Sequence, residues 1–248
     1  MSMKVKGMLL GLVFCFFFST LSHSTVRIGT LVYNPPFVIS SSEGFDIDLS
    51  HLLCSRLKIK CQLIPIKNTK QLYQALENGQ VDLVIAGVTI SPARQKDHVF
   101  SLPYMLSKGQ FLTLKDQSHI NSEADLEGST VGVIKDELSG GVLYAYVLNK
   151  YQGKIKVNQY DTVENMFAAL SNKTISAVFL YRSDVNYWNH NYGNLFKTLG
   201  PVVTLGEGIA IMAQSKNSNL IDRINKILQQ IEQDDTYLAL YKTYFSNQ

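Results

Sequence analysis

From residue 26 onward the apolar positions switch repeatedly between two spacings. Residues 26–32 read as a strand. Phe45, Leu49, Leu52, Leu53 and Leu57 then recur at helical intervals, predicting a helix over 45–57. A strand follows at 61–66, a helix at 71–78 ended by Gly79, and a near-continuous apolar strand at 81–88. The alternation resumes later: strand 131–134, helix 142–151, strand 155–160, helix 163–172 and strand 175–181. Strands alternating with helices predict an α/β fold with largely parallel sheets covered on both faces. The two series also resemble each other. Leu72, Ala75, Leu76, Val81, Leu83 and Val84 are matched by Met166, Ala169, Leu170, Ile175, Ala177 and Val178 at a constant offset of 94 residues. Two similarly built lobes are expected. Residues 111–114 and 205–212 are apolar enough to be extended crossovers between them. Helices close the chain, one with Leu220, Ile221, Ile224, Ile227, Leu228 and Ile231 on its apolar face.

Ahead of this pattern stand Lys4 and Lys6, an unbroken apolar run from Met8 to Phe18, and a small-residue stretch from Ser19 to Ser24. This is the order of a secretory signal, with cleavage expected after Ser24, before Thr25. Eleven apolar residues are too few to span a bilayer, and Cys15, preceded by the bulky Phe14, does not suit lipoprotein processing. Removing the signal changes the meaning of the charge. The full chain carries 23 basic and 20 acidic residues. Without Lys4 and Lys6 the balance is 21 to 20, so the basic character that would favour a nucleic-acid partner disappears. Charged residues make up 17% of the 248 and hydrophobic ones 46%, a composition that can bury a core and argues against disorder.

The exported chain keeps Cys54 and Cys61, at the end of one predicted helix and the start of the next strand. An even count in an oxidising compartment points to one disulfide, with two buried thiols as the alternative. No histidine stands at metal-ligand spacing beside them, and no phosphate loop, nucleophile elbow, zinc or cofactor motif occurs.

The candidate chemistry lies after the strand at 81–88. Ser91 is a helix-capping residue and Pro92 suits the first helical position, which sets Arg94 in the first turn outside the carboxyl end of a strand. Ligands of open α/β sheets bind there, and a guanidinium with Thr89 beside it suits a carboxylate. The alternative for Arg94 is a surface pair with Asp97 or Glu43. Tyr33-Asn34-Pro35-Pro36-Phe37 forms a rigid aromatic loop after the first strand, either lining a ligand site or packing on the core.

Pro35-Pro36-Phe37, Gly44-Phe45-Asp46-Ile47-Asp48-Leu49, Val81 to Gly87, Thr89-Ile90-Ser91-Pro92-Ala93-Arg94, Phe100-Ser101-Leu102-Pro103-Tyr104, Asp125-Leu126-Glu127-Gly128 and Val131-Gly132-Val133 occur in one order along the chain. As a set they resemble the polar-amino-acid family of periplasmic solute-binding proteins that serve ABC importers. The resemblance implies a two-lobed fold, each lobe a mostly parallel sheet flanked by helices, with two hinge strands and capture of the solute by hinge closure. It divides the chain into signal 1–24, a first lobe of 25–110 and 209–248, and a second lobe of 111–208. Arg94 becomes the carboxylate clamp, Thr89 adds hydroxyl and N–H contacts, Ala86 or Gly87 offers a carbonyl to an ammonium, and Phe37, Asn34 and Tyr33 wall the pocket. The spacing of Cys54 and Cys61 is that of a disulfide in the lysine/arginine/ornithine and histidine branch. A monomeric receptor without cofactor, meeting an inner-membrane permease, is the implied partner arrangement.

The second lobe departs from that family's pattern. Lys135-Asp136-Glu137-Leu138 stands where a Gly followed by Ser or Thr is usual, and Tyr181 stands where an Asp meets the ligand's ammonium. A buried ammonium without a carboxylate is costly. Glu137, Leu138 and Tyr181 are therefore candidate contacts, and Glu137 or Asp184 the source of the missing charge. Asp184 serves only if the chain bulges. Leu31 occupies the place of an acid in the basic-amino-acid branch, which argues against a strict arginine or lysine receptor. An enzyme resembling the cyclohexadienyl or arogenate dehydratases, with Glu137 as general acid, is the alternative on this scaffold.

Overall fold

The structure, a computed structural model, describes residues 25–135 and 141–245. The expected signal at 1–24, and Glu137 and Leu138, lie outside the described residues. The first sheet has the order β2-β1-β3-β10-β4 and is built from β1 (Val26–Leu31), β2 (Cys61–Ile66), β3 (Leu83–Val84), β4 (His98–Phe100) and β10 (Met212–Gln214). The second has the order β7-β6-β8-β5-β9, from β5 (Lys108–Leu114), β6 (Thr130–Ile134), β7 (Lys156–Tyr160), β8 (Ala177–Tyr181) and β9 (Phe196–Thr204). Helices α1 (Phe45–Leu57), α2 (Thr69–Glu77), α7 (Ser218–Gln233) and α8 (Thr236–Phe245) cover the first sheet. Helices α4 (Val142–Tyr151), α5 (Val163–Ser171) and α6 (Arg182–Tyr192) cover the second. Each sheet carries an apolar cluster on both faces, around Phe37 and Phe45 or Leu72 and Leu76 in one lobe, and around Phe111 or Met166 in the other.

Both sheets are mixed rather than largely parallel. In the first, β1 runs parallel to β2 and β3, but β10 is antiparallel to β3 and β4. In the second, β6 is parallel to β7 and β8, while β5 is antiparallel to β8 and β9. Strands β5 and β10 are where the chain enters one lobe from the other, so each arrives against the direction of its neighbours. Residues 111–114 are accordingly part of a central strand, not a crossover. The two crossovers are 101–107 and 205–211, lying side by side through Tyr104 N–H to the Ile209 carbonyl (2.9 Å), Ile209 N–H to Met105 (2.8 Å) and Leu205 N–H to Ser107 (2.9 Å). Lys108–Gln110, assigned from sequence to the first lobe, pair within the second sheet.

The repeat of 94 residues has a structural counterpart. Helices α2 and α5 are each nine residues long, begin 94 positions apart and are capped alike: Asn68 accepts from Gln71 N–H and Thr162 from Asn165 N–H. The Asn68 cap starts α2 two residues earlier than the apolar spacing indicated. Both helices press on a glycine in a central strand. A Cβ at Gly29 would meet Leu72 at 2.8 Å and Val81 at 3.1 Å, and one at Gly132 would meet Ile175 at 2.6 Å and Met166 at 3.1 Å. Leu72 and Met166, and Val81 and Ile175, are the repeat-related pairs.

Cys54 and Cys61 form a disulfide that ties the last turn of α1 to the first residue of β2. No helix among the described residues is long and apolar enough to cross a membrane.

Candidate functional site

The strand expected over 81–88 is cut short. Only Leu83–Val84 join the ladder. At Gly87, where φ is +68°, the chain turns out of the sheet. There Val88 accepts from Ala210 N–H (2.9 Å) and Ile90 donates to Gly208 (2.8 Å), so residues 88–90 leave the sheet and run beside the return crossover. Ser91 takes the N-cap position of α3 (Pro92–Gln95) and Pro92 the first turn, although the Ser91 hydroxyl makes no capping bond. Arg94 then points inward. It is 2% exposed, its Nη1 donates to the Thr89 carbonyl at 2.5 Å, and its guanidinium lies 5.8 Å from the Tyr73 ring centre.

Around Arg94 a cavity opens between the lobes. Leu31, Asn34, Tyr73, Ala86, Gly87 and Thr89 line it from the first lobe, and Ile134, Leu143, Tyr181 and Asp184 from the second. It is about 60 Å³, and it continues past Leu31, Asn34, Thr69 and Ile134 into an outer cleft of about 350 Å³ flanked by Tyr33, Lys67, Asp161 and Glu164. Arg94, Thr89, Gly87, Ala86, Asn34 and Tyr181 are thus brought together. Tyr33 lies at the outer cleft, where burial and the neighbouring Tyr187 and Tyr192 push its phenol up to about 12. Phe37 is not a wall of the cavity. It is fully buried, packed on Phe45 and Phe245 behind Gly87, because the Asn34–Val38 backbone pair folds the loop down onto the core.

Asp184 reaches the cavity because β8 ends at Tyr181 and α6 starts at the next residue. The aspartate falls in the first helical turn, directed back into the cleft. It is 7% exposed, and burial raises its carboxyl to about 8 against weaker support from the Ser183 hydroxyl and the Tyr181 backbone. Tyr73 escaped sequence reasoning because its place on α2 looks like ordinary core spacing.

Asp46 lies one layer deeper. Its Oδ2 accepts from Gly87 N–H at 2.7 Å and its Oδ1 from the Tyr104 hydroxyl at 2.9 Å, so one carboxylate joins α1, the site turn and the outgoing crossover. Burial raises its pKa to about 7, against the two hydrogen bonds that favour the ionised form. A carboxyl with a raised folded pKa binds its proton more tightly than the unfolded chain does. Its contribution to stability is therefore full below the ordinary value near 4 and declines as pH rises toward 7. Asp46→Asn keeps the shape but not the titration: its amide oxygen can accept from Gly87 N–H while its NH2 donates to the Tyr104 oxygen, reversing that bond. In urea unfolding the native protein should lose on the order of 2 kcal/mol more than this variant between pH 5 and pH 8; parallel losses would contradict the assignment.

The model of the bacterial extracellular solute-binding proteins, family 3, matches residues 26–247. The ABC transporter arginine-binding protein 1 of Escherichia coli (strain K12) is 27% identical over 97% of this chain and 98% of its own. The histidine-binding periplasmic protein of Salmonella typhimurium is 25% identical over 98% and 97%. Among solved structures, an arginine third transport system periplasmic binding protein from Legionella pneumophila is 36% identical and superposes with a TM-score of 0.81 over 89% of this chain and 99% of that one. With a family match across nearly all the described residues and the two-lobed fold in common, the chain belongs to the bacterial extracellular solute-binding proteins, family 3.

Proposed function

We propose that the cleft captures an L-α-amino acid or an amino-acid conjugate with a free carboxylate, and that hinge closure buries it for delivery to an inner-membrane ABC permease. The observation that carries this reading is the burial of a guanidinium and a carboxyl group from the two lobes in one cavity, Arg94 from the first and Asp184 from the second. Arg94 and Thr89 would hold the carboxylate, while Asp184 and the Ala86 or Gly87 carbonyl would hold the ammonium. The inner cavity suits the α-carbon end, and the side chain would extend into the outer cleft between Tyr33, Lys67, Asp161 and Glu164. Relatives named for arginine, histidine and octopine support this ligand class. A monomer in the periplasm, freed of residues 1–24 by cleavage before Thr25, completes the reading. The dehydratase alternative finds no support in these relatives, which are named as binding proteins.

A thermal-shift panel of the L-amino acids and octopine tests the proposal. A ligand at a hundred times its Kd adds about 2.7 kcal/mol, which raises the melting temperature of a chain this size by about 5–10 °C. At least one compound should do so, and a panel with no shift would overturn the reading.

A further inference from the structure

Behind Arg94 the lobes meet through three hydroxyl groups. Thr89 Oγ1, on the first lobe, donates to Tyr181 Oη on the second at 2.9 Å. The same Thr89 oxygen lies 3.0 Å from Ser107 Oγ. Ser107 is the last residue of the outgoing crossover before β5, and its carbonyl accepts from Leu205 N–H of the return crossover. Thr89 and Ser107 are buried, and Tyr181 lines the ligand cavity.

Proton counting sets the direction of this chain. A serine, threonine or tyrosine hydroxyl has one proton to donate and lone pairs to accept with. Thr89 spends its proton on Tyr181, so the contact with Ser107 must be one in which Ser107 donates and Thr89 accepts. The order runs from Ser107 to Thr89 to Tyr181, leaving the Tyr181 proton at the end of the chain. That phenol borders the cavity beside Arg94, whose charge works against the effect of burial on it.

We infer that Tyr181 is a bridging donor: it accepts the Thr89 hydroxyl across the lobe interface and donates its own proton to the ligand carboxylate held by Arg94. The second lobe then contacts both the first lobe and the carboxylate through a single oxygen. Tyr181, the last residue of β8, thus serves the carboxylate end of the ligand. Asp184, one helical step further, takes the ammonium end. The inference rests on the reading that Arg94 anchors a carboxylate. It makes Tyr181 a specificity-determining residue and fastens the hydroxyl chain to the hinge through Ser107.

Tyr181→Phe removes the oxygen and leaves the ring. Thr89→Val removes the donor at nearly constant volume. Two readouts decide. In small-angle X-ray scattering without added amino acid, both variants should have a larger radius of gyration than the native protein, because the lobes lose a direct contact; unchanged radii would overturn the bridge. In calorimetry with the tightest-binding member of the L-amino-acid and octopine panel, Tyr181→Phe should weaken binding by about 10- to 100-fold, as for a lost hydrogen bond to a charged group. An unchanged Kd would overturn the donor role. If Tyr181→Phe weakens binding while Arg94→Ala does not, the carboxylate reading fails and the lobe contact stands on its scattering result.

Discussion

Arg94→Ala should lower affinity for the captured solute by about 30- to several-thousand-fold, the range for truncating one member of a buried, hydrogen-bonded charge pair. The size of the effect follows from burial. At 2% exposure the guanidinium acts where bulk water does not compete, so without it the bound carboxylate would lose its counter-charge in a largely dehydrated site. Arg94→Lys should recover only part of the loss, because an ammonium restores the charge but not the planar fork. Arg94 also donates to the Thr89 carbonyl, so the variant has a structural consequence besides the electrostatic one. Calorimetry should therefore be read beside circular dichroism and melting temperature. A folded Arg94→Ala protein with native affinity would refute the site.

Asp184→Asn has the second largest expected effect, and its signature is a proton. With a carboxyl pushed up to about 8, Asp184 is mostly protonated at pH 7 in the free protein. A bound ammonium favours the ionised form, so binding at pH 7 should release close to one proton, and affinity should rise with pH until the free carboxyl ionises near 8. Titration in phosphate and in Tris, whose ionisation enthalpies differ, measures that release directly. The asparagine variant should bind more weakly by at least about tenfold and release no proton. Equal proton release by both proteins would assign it to another group.

Much of this arrangement was legible because it is local. Helices over Phe45–Leu57 and Val142–Tyr151 follow from apolar spacing alone, and the 94-residue offset reflects two helices packed on two strand glycines. Arg94 could be placed at the cleft because Ser91 and Pro92 mark a helix start just after a buried strand. What escaped depends on contacts distant in sequence. Strand direction at β5 and β10 is set by which lobe the chain has just left, and no periodicity encodes that. The same limit hid Asp46, whose partners Gly87 and Tyr104 lie 41 and 58 residues away. Phe37 misled for a related reason: an aromatic beside a strand end packs inward or outward depending on a loop pairing, here Asn34 with Val38. Asp184 became interpretable only once α6 was seen to begin directly after Tyr181.

On this reading a carboxylate is what the cleft recognises. The most direct test extends the thermal-shift panel to matched pairs that differ only in that group: arginine with agmatine, histidine with histamine, lysine with cadaverine, ornithine with putrescine. An amino acid that stabilises the native protein should do so far more than its decarboxylated partner, and Arg94→Ala should remove the difference. Equal stabilisation by acid and amine, or a difference that survives in Arg94→Ala, would contradict the carboxylate reading.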